Sequence, residues 1–161
     1  KIFLSMSDDL RIRLKVERDN NSRGHTHESI LESIRKREKD YLEFVAPQES
    51  NSDIHFHTYE VEDSLRLRIA SNSNFAIDQF VHELVKLGNV EVQASEQMNH
   101  KIYEINPGVV NSNLLLQILK NQVSDFEQLF IEEPDIPANL VGVMATLSII
   151  LLSIKRDEFY D

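Results

Sequence analysis

The sequence predicts an α/β fold with α+β character. Three observations predict it. Short alternating apolar runs recur at Asp53–Val61, Leu65–Ile69, Val90–Ala94 and Lys101–Ile105, as half-buried strands require. Between and after them lie segments of helical period, at Phe75–Leu87, Asn113–Lys120 and Asn139–Arg156. The chain has 161 residues, 41% hydrophobic and 27% charged, which suits one domain or one domain plus an appendage.

In order, Lys1–Met6 (KIFLSM) reads as a strand, and Ser7 or Asp8 can cap a helix from about Asp9 to Arg18. Leu10, Leu14 and Ile12 give that helix an apolar side, and Arg11, Lys15 and Arg18 line another face. Asp19–Gly24 (DNNSRG) reads as a loop by composition. Thr26 then caps a helix from His27 to about Glu38, with Ile30, Leu31 and Ile34 inward. A helical turn over Asp40–Val45 precedes Pro47, anchored by Tyr41, Leu42, Phe44 and Val45. Glu62-Asp63-Ser64 is the turn of a hairpin. Gly88-Asn89 ends the helix that starts at Phe75, and Pro107-Gly108 is a turn. Asp125–Phe130 continues the helix before it, and Pro134 and Pro137 break the chain ahead of the last helix.

Composition narrows the function classes. A net charge of -10 argues against a general nucleic-acid binder, although a local basic patch fits inside an acidic chain. With no cysteine there are no disulfides, thiolate metal sites or cysteine nucleophiles, and a reducing cytoplasm is the expected location. Ile136–Ile154 is the longest charge-free run, but Pro137, Asn139, Gly142, Thr146, Ser148 and Ser153 dilute it, so it reads as a buried helix and no membrane is expected. No signal or transit peptide is recognisable. A chain that begins inside a strand is expected to be a piece of something longer.

Candidate chemistry concentrates at 15–48. Lys15, Arg18 and Arg23 flank the DNNSRG segment, where a planar guanidinium suits phosphate oxygens and Gly24 lets the backbone turn. Composition alone favours a solvated basic face over a phosphate grip. Asp19 lies between Arg18 and Arg23, placed to hold them; Glu28 and Glu32 read as partners of Arg35 or Lys36. His25/His27 and His55/His57 each offer two ligands, too few for a metal site, so no metal is assigned. G-x-S-x-G, H-E-x-x-H, G-x-G-x-x-G and G-x-x-x-x-G-K-[ST] are absent from the sequence.

The run RDNNSRGHTHESILESIRKREKDYLEFVAPQ, from Arg18 to Gln48, resembles the lid segment of the phosphoribulokinase/uridine kinase family. The family pattern is close to K-x-x-R-D-x-x-x-R-G-[HY]-[ST]-x-E-x-[VI]. Here Lys15, Arg18, Asp19, Arg23, Gly24, His25, Thr26, Glu28 and Ile30 match it, and Ile34, Arg37, Asp40, Pro47 and Gln48 continue it. The strands near Asp53 and Leu65 and the final helix resemble the family's second half more weakly, and about Asn72 to Asp135 is not covered. The resemblance implies the C-terminal half of a P-loop kinase fold, a mixed sheet with lid helices and flanking helices. Residues 1–50 would be the terminal strand and helical lid, and 51–161 a C-terminal α+β region.

By that resemblance Lys15, Arg18 and Arg23 would face ATP phosphates and the transferred phosphoryl group as catalytic residues. Arg18, Asp19, Arg23 and Gly24 would bind the cofactor. ATP and Mg²⁺ would be used by the parent protein, with their sites mostly in an N-terminal P-loop half that these residues lack. The substrate would be a sugar phosphate or nucleoside, and the chain alone would be inactive. A homo-oligomer interface through the sheet is a further expected partner. The alternative is a non-catalytic binding or oligomerisation module derived from the family.

Overall fold

The alternating segments hydrogen-bond into one sheet because each buries every second side chain on the same side. The structure, a computed structural model, describes residues 1–72, 77–87, 90–97, 100–106, 110–130 and 132–160. Strands β1 (Ile2–Met6), β2 (Ile54–Val61), β3 (Ser64–Asn72), β4 (Glu91–Gln97) and β5 (His100–Asn106) lie in the order β1-β2-β3-β5-β4. β1 runs parallel to β2, and the other pairs are antiparallel, so the sheet is mixed. The expectations at Phe75, Gly88-Asn89 and Pro107-Gly108 lie outside the described residues.

One face of the sheet carries the core. Ile54 and Phe56 of β2, Leu67 and Ile69 of β3, and Tyr103 and Ile105 of β5 are buried together. Helices α3 (Asp78–Leu87), α4 (Ser112–Gln122) and α6 (Leu140–Tyr160) contribute Phe80, Leu84, Leu115, Ile118, Val143 and Leu147 to the same cluster. Asn side chains start two of these helices: Asn111 Oδ1 accepts from Leu114 N at 2.8 Å, and Asn139 Oδ1 from Val141 N at 2.9 Å. The expected continuation of α4 is instead a separate short helix, α5 (Phe126–Leu129), because the chain is already extended at Val123. Among the described residues, no helix is long and apolar enough to cross a membrane.

The hairpin between β2 and β3 is tighter than expected. Val61 pairs with Ser64, so Ser64 is already strand and the turn is Glu62-Asp63 alone. Both turn residues have positive φ, 50° and 61°, as a two-residue turn matching the strand twist requires.

Helices α1 (Asp8–Arg23) and α2 (His27–Asp40) form a second unit, joined to the sheet through β1. Ser7 N donates to Thr58 O at 2.9 Å, carrying the β1–β2 ladder up to the helix start. Ser7 occupies the N-cap position, yet its side chain makes no capping bond. Arg13 on α1 pairs with Glu60 on β2 at 2.9 Å. Of the expected apolar side of α1, Leu10 is buried and Ile12 half-buried, but Leu14 is exposed. After α2 a π-helical turn, Tyr41–Val45, leads into a 3-10 turn, Ala46–Asn51. Leu42 and Phe44 there are about as exposed as surface polar residues, 61% and 62%, so the expected apolar anchor reduces to Tyr41. The Arg11 guanidinium lies 5.4 Å from the Tyr41 ring centroid and ties that turn back to α1.

The close approach of α6 to the chain before it rests on Gly142. A Cβ there would fall 1.8 Å from the Pro137 carbonyl oxygen and 2.8 Å from Leu115 Cδ1. Gly142→Ala is expected to destabilise the fold by about 2–3 kcal/mol through overpacking. Urea unfolding measures this; an unchanged midpoint would contradict the packing.

Candidate functional site

The segment Asp19–Gly24 is helix to Arg23, where composition predicted a loop. Asp19 accounts for the difference. Its carbonyl oxygen accepts the backbone N–H of Gly24 and that of His25, the latter at 3.2 Å, closing the helix end. Its carboxylate accepts from Arg18 Nε at 2.8 Å and faces Arg23 Nη1 at 3.6 Å. These local bonds outweigh the weak helix propensity of Asn20, Asn21 and Ser22. Gly24 then takes the left-handed conformation, φ 65°, and turns the chain toward α2. Thr26 caps α2 as expected, accepting from Ser29 N at 3.3 Å.

The four positions therefore form one unit. Asp19 is buried at 5% exposure, whereas the side chains of Arg18 and Arg23 are more than half exposed. A buried carboxylate thus holds two guanidiniums whose outer edges face solvent. The Arg18 hydrogen bond holds the Asp19 carboxyl below the usual carboxylate range; burial opposes that shift, and the charges of Arg18, Arg23 and Lys15 reinforce it. Lys15, one turn before Asp19, reaches Ser33 Oγ on α2 at 3.4 Å. Lys15, Arg18, Asp19, Arg23 and Gly24 are brought together by one helix end. The arrangement can present a forked cationic surface to an anionic oxygen group. Glu32 pairs with Lys36 at 2.7 Å, as its spacing suggested. His25 and His27 are exposed.

A second cluster lies on the sheet face opposite the core. His55 and His57 of β2 point there together, and Ser5 of β1 sits between them. Ser5 Oγ lies 2.6 Å from His55 Nε2 and 2.7 Å from His57 Nδ1. Glu49 Oε1 lies 3.0 Å from His55 Nδ1. The proton positions follow from the network. The Glu49 carboxylate can only accept, so His55 carries its proton on Nδ1. Neutral His55 Nε2 then accepts from the Ser5 hydroxyl, and Ser5 Oγ accepts from His57 Nδ1–H. Burial pushes both imidazoles below their ordinary pKa; Arg68 adds to this, and Glu49 opposes it.

Sequence reading had both histidines but not their partners. The i, i+2 spacing places His55 and His57 on one strand face, but only the parallel β1–β2 pairing brings Ser5 to them. Among the described residues, no group of three or more His, Cys, Asp or Glu side chains is placed to hold a metal ion.

The match to a known family concerns the first part of the chain. Residues 1–64 match the model of the Phosphoribulokinase / Uridine kinase family. A 53-residue stretch is 38% identical to a phosphoribulokinase of Synechocystis sp., covering 33% of this chain and 16% of that protein. A chloroplastic phosphoribulokinase of Chlamydomonas reinhardtii is 41% identical over 54 residues, 34% of this chain and 14% of the relative. One from Spinacia oleracea is 36% identical over 53 residues, 33% and 13% respectively. The similarity thus spans a small fraction of each curated relative.

Two outcomes test the helix end. Gly24→Ala has open space for its Cβ, so its expected cost is conformational alone, about 1 kcal/mol, read by urea unfolding. The stability that Asp19 gives over Asp19→Asn is expected in full above the unfolded carboxylate pKa of about 3.9. It should disappear as pH falls through the lower folded value. A wild-type-minus-variant difference that is flat with pH would contradict the depressed pKa.

Proposed function

We propose that this chain supplies the phosphate-gripping lid and C-terminal sheet of an ATP-dependent phosphotransferase. The acceptor is a hydroxyl of a sugar phosphate or nucleoside. The observation that carries this reading is the Asp19-centred pair of arginines, with outer edges exposed, at a Gly24-capped helix end inside the family-matched residues. A phosphoryl group in transfer spreads negative charge over its oxygens. Arg18 and Arg23, joined by Lys15, meet that charge when the helical hairpin closes over bound ATP, and closure excludes water. Asp19 is the positioning residue: it fixes the two guanidiniums without touching the nucleotide.

A lid needs a nucleotide to close over, and the sequence has no Walker A loop. In this reading a P-loop half holds ATP and Mg²⁺. The open edge of β1 is where that half joins the sheet. β1 ends the sheet, and Ile2, Leu4 and Met6 remain 43%, 65% and 41% exposed on its core side, an apolar edge suited to another strand. The parallel β1–β2 pairing supports a parallel neighbour on the other side.

With the P-loop half present, Arg18→Ala and Arg23→Ala are each expected to lower kcat by on the order of 10²-fold. Arg23→Ala should change stability little, since its exposed side chain stands 3.6 Å from Asp19, whereas Arg18→Ala should also destabilise the helix end, because it takes the nearest partner from the buried Asp19 carboxylate. Steady-state kinetics with ATP and a panel of sugar phosphates and nucleosides measures the first, and urea unfolding the second. Normal kcat in both variants would refute the lid role and leave a binding module.

A further inference from the structure

The sheet face opposite the core holds a feature that the lid reading does not use. Arg68 of β3 stands directly opposite His57 on one side and Glu104 on the other. Glu104 is taken by Tyr59, whose hydroxyl donates to it at 2.9 Å. Arg68 makes no ion pair with that carboxylate. It is half-buried, and its Nε is buried with no hydrogen-bond partner among the described residues. That N–H has lost water without gaining an acceptor.

The surroundings of Arg68 are concave. Two open hollows meet at it. One, of ≈ 530 Å³, is lined by Glu49, Ser50, Ser52, His55, Ala70 and His100 among others. The other, of ≈ 300 Å³, is bordered by Ser5, Tyr41, His55 and His57. The small side chain of Ala70, opposite His55, leaves the floor open. Hollows of this size admit a small metabolite. Glu104 lines neither; it borders a different depression beside Arg66.

We propose that this hollow is a binding site for a phosphate-type oxyanion, held by the Arg68 guanidinium and the His57 ring on a floor of Ala70. The charges explain why binding would be coupled to a proton. With both imidazoles neutral, Arg68 is balanced by Glu49, and Glu49 is already engaged by His55 Nδ1. His57 spends Nδ1–H on Ser5, so its Nε2 carries a lone pair in the neutral ring. Uptake of one proton at Nε2 turns that nitrogen into a donor and gives the hollow a net positive charge. The bound anion and the His57 proton therefore stabilise each other. The groups facing His57 are Ser5 from β1, Glu49 from the 3-10 turn, Arg68 from β3, and His55 and Tyr59 on its own strand. Burial and Arg68 keep the ring neutral until the anion arrives. The site is separate from the Arg18–Asp19–Arg23 unit and needs no nucleotide, so it stands or falls independently of the lid reading.

The test is a titration of the intact chain with inorganic sulfate, whose charge is constant over the range used, at fixed ionic strength. Side-chain ¹H–¹⁵N spectra of the histidines report the binding. The expected result is saturable shifts at His55 and His57, with affinity about tenfold higher near pH 6 than near pH 8. Arg68→Gln should weaken binding by about tenfold or more. At a pH where His57 is protonated in both proteins, Glu49→Gln, which keeps an acceptor for His55 Nδ1 but removes the opposing charge, should tighten binding. Arg18→Gln, in the helical hairpin, should leave it unchanged. Inorganic phosphate should compete with sulfate. Linear, non-saturating shifts, a pH-independent affinity, weaker binding in Glu49→Gln, or loss of binding in Arg18→Gln would each overturn the proposal. Should Arg68→Gln fail to fold, Glu49→Gln and the pH dependence decide it.

Discussion

The structure depends on a sheet whose two faces are unlike. Strands β2, β3 and β5 alternate, so one face is largely apolar and must be covered. Helices α3, α4 and α6 cover it, and the buried cluster runs continuously from Ile54 to Leu151. The other face keeps the polar members of the same alternation: Ser5, His55, His57, Tyr59, Arg66, Arg68 and Glu104. Desolvation on that face is partial. It is enough to depress imidazole pKa values, and not enough to exclude a ligand.

The helical hairpin is held by different physics. Its buried apolar residues, Leu10 and Ile30, are few and stand outside the main cluster. Polar contacts do much of the fixing: Arg13 with Glu60, Arg11 over Tyr41, and Lys15 toward Ser33. Such contacts are individually weak, which suits the opening and closing of the proposed lid. Asp19 is the exception. Its buried carboxylate and its carbonyl together fix the helix end and the two arginines, so the cationic surface stays ordered while the hairpin as a whole is lightly tethered. In the proposed kinase this separates orientation, which is local, from closure, which is collective.

Much of the fold was legible in the sequence, and the reasons are local. Alternation located all the strands after β1, Thr26 announced α2, and the apolar run at 139–156 announced α6. The resemblance at Arg18–Gln48 agrees with the family match over residues 1–64. The failures are equally physical. DNNSRG has loop composition, but the bonds made by Asp19 carry the helix through it. Leu14, Leu42 and Phe44 have core chemistry and surface positions, because the hairpin presents too little packing surface to cover them.

The sequence by itself determined the α/β class, the order of elements, the local cap at Thr26 and the spacing that sets Arg18, Asp19, Arg23 and Gly24 on one helix end. Each of these rests on contacts within a few residues. Beyond the β2–β3 hairpin, tertiary structure decided which strands are neighbours. The parallel pairing of β1 with β2 joins residues 52 positions apart, and it places Ser5 between two histidines. The antiparallel pairing of β2 with β3 sets Arg68 opposite His57. Side-chain period fixes the face on which a strand residue lies, but only hydrogen bonding between distant strands fixes what stands beside it.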